Sequence, residues 1–301
     1  MRVRYAIPSA ILLVALFLNP ASAQQKLKLG DNAALRYYAA FAEMQDSAIT
    51  DKKAQELNAI LDGPVPYDDL KFADLVEKNR PALELMARGT ALPNCDWGLD
   101  YQLGEDTPVD YARNALALGR LNVLYAFHLR IAHDNGGAVR ALVAGLRFSR
   151  DVANGGSLFA AVVAKDLMVQ HLRAVQFVLQ ADKDRPSSSA SHMADIRKAI
   201  AELGANGLDW KLATRRDLEV LRAHFANDAE ASIALTRIIP TYIGTLNEPG
   251  KLPALEQALA SAPHQLSEVI PNPKRVLEEK QDLTDKLRQA RSKLQRETEP
   301  G

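Results

Sequence analysis

Three runs decide how this chain is read: VDYARNALALGRLNVLYAFHLRIAHD (Val109–Asp134), AVRALVAGLRFSRDVA (Ala138–Ala153) and LFAAVVAKDLMVQHLRAVQFVLQA (Leu158–Ala181). Only Asn135-Gly136-Gly137 and Asn154-Gly155-Gly156-Ser157 separate them. Each run is longer than a strand and repeats its apolar residues at helical spacing, which predicts three consecutive helices. In the first, Leu116, Leu118, Leu121, Val123, Leu124, Tyr125, Phe127, Leu129 and Ile131 cover the whole circumference, the pattern of a helix buried on most sides. The second carries Arg140, Arg147, Arg150 and Asp151 on one stripe, which is expected to face water while Val139, Leu142, Val143, Leu146 and Phe148 face inward. The third opens apolar, then gathers Lys165, Asp166, Gln170, Arg173 and Gln176 in one arc, so it is expected to be buried first and exposed later. The two glycine pairs are expected to stop helices through left-handed caps.

Upstream, Asp31 or Asn32 can cap a helix running to Met44, and Thr50 can cap a second over Asp51–Leu61 that Gly63-Pro64-Val65-Pro66 ends. A third, from about Asp68 to Ala87, has Leu70, Ala73, Leu75, Val76, Leu83 and Leu85 as its apolar set. Pro81 lies inside it, which predicts a kink or break near Asn79. The segment from Gly89 to Pro108 is irregular, and the apolar bulk of Trp97 should fold it back onto the helices. Beyond the core, Arg185-Pro186-Ser187-Ser188-Ser189-Ala190-Ser191 reads as a solvated linker. Short helices are expected near Ala194–Leu203, Asp209–Ala226, Ala229–Leu246 and Pro253–Ala260. From Pro271 the chain reads as a charged helix with a short heptad-like seam: Val276, Leu283 and Ala290 alternate with Lys280, Leu287 and Leu294. No strand-like alternation of useful length occurs.

The expected fold is therefore all-α and multi-helical: antiparallel hairpins in a partly solenoid-like array with a charged C-terminal helix. Its expected divisions are a signal peptide (1–23), an N-terminal helical domain (24–183), a linker (184–192), a C-terminal helical part (193–270) and a helical tail (271–301).

Composition narrows the function. Lys+Arg and Asp+Glu are 37 each, which argues against a general nucleic-acid binder, whose affinity needs a positive field. Arg2 and Arg4, the apolar run Ala6–Leu18 and the small residues Ala21-Ser22-Ala23 form the three parts of a secretory signal. The apolar run is shorter than the roughly 20 residues that span a bilayer. Export to the periplasm or medium is expected, with no stable membrane span after cleavage. Cys95 is the one cysteine, so no intramolecular disulfide can form.

The stretch Tyr125-Ala126, Leu129, Ala138, Leu142, Gly145-Leu146 resembles one tetratricopeptide helix pair, with Arg150 where that motif closes on proline and no 34-residue copy after it. The signal, the helix Asn32-Ala33-Ala34-Leu35-Arg36-Tyr37-Tyr38, the Cys95-Asp96-Trp97-Gly98 loop and the Ala/Leu/Arg-rich central pair are similar to exported helical bacterial proteins of uncharacterised function. That resemblance implies fold and compartment and supplies no catalytic residue.

Candidate chemistry is sparse. No G-x-S-x-G, H-E-x-x-H, C-x-x-C or phosphate-loop spacing occurs. Cys95 lacks a nucleophile's surrounding signature, and a packed loop thiol is the favoured reading. His128 and His133 cannot share a metal from one helix face. His171, among Met168, Leu172 and Val175, reads as a hydrogen-bonded core residue, and His264 with Glu268 supplies only two ligands. No metal and no cofactor are expected. Arg113 and Arg120 lie on the most buried helix with Asp110 near the same side; they are expected to pair internally with Asp96, Asp166 or a glutamate. The alternative is an anion-binding pocket of Arg113, Arg120, Asp96 and Trp97, between the central helices and the Cys95–Trp97 loop. The eight basic and six acidic residues from Lys274 to Glu299 read as a solvated face. The leading expectation is an exported, non-catalytic scaffold that contacts a protein partner through its helical surfaces or this tail. An envelope enzyme or small-ligand binder using the central pocket is the alternative.

Overall fold

Asn32 shows how local chemistry sets this architecture. Its side chain accepts the N–H of Ala34 at 3.1 Å and so caps the first helix. The same amide donates to the carbonyl of Asp96 at 2.8 Å and accepts the N–H of Asp96 at 2.9 Å, while Ala33 N–H reaches the Asn94 carbonyl. One capping residue therefore starts a helix and pins the irregular loop to it.

The computed structural model describes residues 29–45, 51–63, 65–101, 103, 109–181, 186–205 and 207–296. The expected signal (1–23), the Thr50 cap and the last residues of the tail lie outside them. Among the described residues there are thirteen α-helices and no strand: α1 (Ala33–Glu43), α2 (Asp51–Leu61), α3 (Asp69–Lys78), α4 (Arg80–Gly89), α5 (Tyr111–Ile131), α6 (Asn135–Ala153), α7 (Leu158–Ala181), α8 (Pro186–Glu202), α9 (Trp210–His224), α10 (Ala229–Asn247), α11 (Leu252–Ala260), α12 (His264–Val269) and α13 (Pro273–Arg296). The chain is all-α and multi-helical. Helices α5, α6 and α7 pack against one another, α1 lies on α4, α3 on α5, α8 on α6, and α10 on α9. Buried apolar residues from Ala33 to Leu294 form one continuous core.

The break expected at Pro81 occurs. Helix α3 ends at Lys78 and α4 restarts at Arg80, because proline lacks the N–H that an unbroken helix would use there. Asn79, fully buried, fills the gap: its side chain accepts the N–H of Gln45 and donates to the carbonyls of Gln45 and Leu75. Leu70 departs from the expected apolar set, being 92% exposed. The inward face of α3 is Phe72, Leu75 and Val76, at i, i+3 and i+4, and Leu70 falls opposite it.

Four further expectations need correction. Asp151 was placed on a water-facing stripe but is buried, and α6 is the enclosed helix, with α4, α5, α7 and α8 all against it. Gly136 and Gly137 do not stop a helix: both lie in the first turn of α6, capped by Asp134, and the left-handed residue is His133, with φ of 62°. Most of the stretch expected as linker is helix, since α8 begins at Pro186. Proline at a first helical position gives up an N–H that has no partner there anyway, so a Pro-Ser run can open a helix as readily as a linker.

The fourth correction concerns the C-terminal helix. The heptad-like seam of α13 is real, with Val276, Leu283, Leu287, Ala290 and Leu294 buried, but the seam docks on α7 and α8 of this chain. The charged arc of α7 is what receives it. Lys165 makes ion pairs with Glu279 and, at 2.8 Å, with Asp282, and Lys293 donates to Gln176. Helix α7 therefore keeps a buried face as far as Leu179, and the tail is part of the body.

Inside the three-helix core, Asn122 of α5 donates to the Ala141 carbonyl of α6 at 2.8 Å and lies 3.1 Å from Nε2 of His171 on α7. The other imidazole nitrogen lies 2.7 Å from the Leu167 carbonyl. Nδ1 therefore carries the proton and Nε2 accepts from Asn122. The expectation of a hydrogen-bonded core histidine holds. Gly145 permits this approach, since a Cβ there would lie 2.0 Å from His171 Nε2. No described helix is long and apolar enough to cross a membrane.

Candidate functional site

The chemistry-bearing loop residues converge on the last turn of α6. Asp151 is 2% exposed. Its Oδ2 accepts the Tyr37 hydroxyl at 2.6 Å, and its Oδ1 accepts Nε and Nη2 of Arg150 at 3.2 and 3.0 Å. Its main-chain carbonyl accepts the Trp97 indole N–H at 2.8 Å and faces the Cys95 thiol at 3.7 Å. Trp97 is held between rings: it stacks on Tyr111 with centroids 4.1 Å apart, lies parallel to Phe41 at 6.1 Å and meets Tyr38 edge-on at 5.4 Å. Tyr38 donates its hydroxyl to the Trp97 carbonyl, and Tyr111 donates to the Val152 carbonyl.

These groups cross-link α1, the loop and α6. Burial raises the Asp151 carboxyl, against the opposing hydrogen bond from Tyr37 and the charge of Arg150. Burial also pushes up the Tyr37 hydroxyl, and the Asp151 charge adds to the effect. The Cys95 thiol is raised by burial and by the negative charges of Asp151 and Asp96. A thiol so placed stays protonated, the opposite of an activated nucleophile.

The structure places the four residues named as a possible pocket in different settings. Trp97 is 4% exposed within the aromatic cluster. Asp96 is exposed, and its carboxylate accepts the N–H of Gly98 at 2.9 Å to close a turn in which Gly98 takes φ of 66°. Arg113 is exposed on α5. Arg120 is half-buried, and its charge lowers the Asp166 carboxyl that burial has raised. Asp166 was among the partners expected for it.

Among the histidines, His128 lies between Asp69, 2.9 Å from Nδ1, and Glu77, 3.4 Å from Nε2, with the Tyr67 hydroxyl also on Asp69. His264 and Glu268 approach to 3.6 Å on an exposed turn. Among the described residues no group of three His, Cys, Asp or Glu side chains is arranged to hold a metal ion.

A cleft of about 450 Å³ opens on the far side of Arg150, where the C-terminal ends of α6 and α8 meet the N-terminus of α9. Its walls include Leu203, Leu208 and Trp210, and its rim carries Arg150, Lys211 and Lys280. The single carboxylate in the lining is that of Asp209, which caps α9 by accepting the Leu212 N–H. Lys280 donates to the Leu246 carbonyl at the end of α10 and is lowered by burial and then by the neighbouring charge of Lys211. Sequence reasoning missed this assembly because its cations come from α6, α9 and α13. One signal was visible: Lys280 interrupts the apolar seam of α13, where a lysine has to find a polar neighbour.

No known protein family, curated protein or solved structure matches this chain.

Proposed function

We propose that the protein is an exported, non-catalytic helical scaffold of the cell envelope, periplasmic or secreted, that holds a protein partner on its helical surfaces. What supports this most is the use made of Asp151. Cys95 and Trp97 of the loop, together with Asp151 and Tyr37, tie α1, the loop and α6 into one block. The chemical groups hold the framework, and the framework presents surface. Helix α13 contributes a charged outer face with Lys274, Arg275 and Arg288 exposed, fixed in place by its buried seam. The local tetratricopeptide-like pair, Tyr125 to Leu146, falls across α5 and α6 and is in keeping with a binding scaffold.

The test is affinity capture from an envelope extract with the full exported chain, run beside the double variant Arg275→Glu/Arg288→Glu. The proposal expects a reproducible partner that cross-links to α13 and is lost with the charge reversal. Reproducibly empty captures, or recoveries indifferent to the reversal, contradict it.

A further inference from the structure

The cleft beside Arg150 gathers an excess of positive charge, with Arg150, Lys211 and Lys280 in the lining against Asp209 alone. Lys211 sits close enough for its charge to act on Lys280, and no carboxylate ion pair is formed by either among the described residues. Asp209, the acid in the lining, already accepts the N–H of Leu212. Arg150 uses Nε and Nη2 on Asp151, which leaves part of its five-donor fork for another acceptor. Lys280 gives one of its three hydrogens to Leu246. Trp210, 2% exposed, lines the same cleft, and its indole N–H has no acceptor in the protein. Two neighbouring lysines lining one cleft with a third cation and an orphaned N–H favour something negative there.

Size and lining set the ligand class. About 450 Å³ suits a small molecule, since such sites run from about 300 to 1,000 Å³. One side is apolar, formed by Leu203, Leu208 and Trp210. Two ammonium groups and a guanidinium match a compact oxyanion carrying more than one charge, which can take donors from several directions.

We infer that this cleft, rimmed by Arg150, Lys211 and Lys280, is a binding site for a phosphate-bearing small molecule, with the phosphoryl oxygens between the two lysines. The inference stands independently of the scaffold reading, since it concerns a small ligand and a different face.

The experiment is isothermal titration of the full exported chain at low ionic strength, with inorganic phosphate and with phenyl phosphate as separate probes. Both should bind saturably at one site per chain. Phenyl phosphate binding more tightly identifies an organic phosphate whose body lies on the apolar wall; equal affinities identify free phosphate. Lys211→Ala, at an exposed position, should weaken both at least about tenfold, while Arg288→Ala, on α13 away from the cleft, should leave them within about twofold. Lys280→Gln should weaken binding similarly, and if loss of its bond to Leu246 unfolds the chain, Lys211→Ala still decides. Absence of saturable binding, or equal affinities in Lys211→Ala and Arg288→Ala, overturns the inference.

Discussion

Trp97 donates its indole N–H to the main-chain carbonyl of Asp151 at 2.8 Å, joining an irregular loop to the last turn of α6 across 54 positions of sequence. The side chain of Asp151 reaches Tyr37 on α1 at 2.6 Å. Main chain and side chain of one buried acid therefore bind two remote segments.

Removing the Tyr37 hydroxyl leaves that carboxylate short of a partner in a dry site. Tyr37→Phe should lower unfolding free energy by about 1–3 kcal/mol, the usual penalty for an unsatisfied buried polar group. Urea denaturation measures it. Stability equal to the parent protein would mean that Asp151 is adequately held by Arg150 alone.

Asn32 is predicted to matter twice, as a helix cap and as a loop clamp. Asn32→Ala should lose about 1–2 kcal/mol on the cap alone. Hydrogen exchange should also quicken selectively at Ala33 and Asp96, whose N–H groups depend on the paired segments. Uniform acceleration across all helices would point to a general loss of stability instead.

Two buried groups oppose each other in acid. Burial lowers His171 to about 4, from an ordinary value of 6.5. Between those values the unfolded chain binds more protons, so this group's contribution is present above pH 6.5 and lost as pH falls towards 4. Burial raises Asp217 to about 6, from 3.8, against the hydrogen bond it accepts from Leu158 N–H. Here the folded chain binds more protons, so the contribution is present below pH 3.8 and lost as pH rises through 6. Each effect is at most about 3 to 3.5 kcal/mol, at 1.36 kcal/mol per pKa unit. The parent protein should therefore have a shallow profile from pH 4 to 6.5. Asp217→Asn should unmask a fall towards acid, and His171→Gln a fall towards neutral pH. Chemical denaturation across that range checks the signs, and identical slopes in both variants would refute the assignment.

Helix α13 is an integral layer, so ending the chain at Ile270 should be damaging. It uncovers the α7 and α8 surfaces that Val276, Leu283, Leu287 and Leu294 cover. At about 1.5–3 kcal/mol for each large apolar side chain, less the entropy of ordering the helix, the net loss should exceed about 3 kcal/mol. Thermal unfolding and binding of a hydrophobic dye report it. A truncated chain that melts like the parent would contradict this.

Local signals in the sequence carried far. Pro81 told of the break at Asn79, Asn32 of its cap, and the bulk of Trp97 of a loop folded inward. Non-local pairings were hidden. Asp151 reads as a solvent residue because it follows Arg150 on a polar stripe, and its partner Tyr37 lies 114 positions away. The arc of Lys165 and Gln176 reads as exposed for the same reason: the chain that covers it arrives after residue 270. Leu70 was misplaced by helix phase, which two residues are enough to reverse. The cleft cations, divided among α6, α9 and α13, have no shared sequence pattern at all.

The most direct test is the labelling rate of Cys95 in the native protein with a thiol reagent at pH 8. If the loop is locked onto Asp151 and the thiol held protonated, modification should be slow and should track unfolding as urea is added. Labelling in native buffer at the rate of a free thiol in a short peptide, with the fold intact, would contradict it and return Cys95 to the candidate nucleophiles.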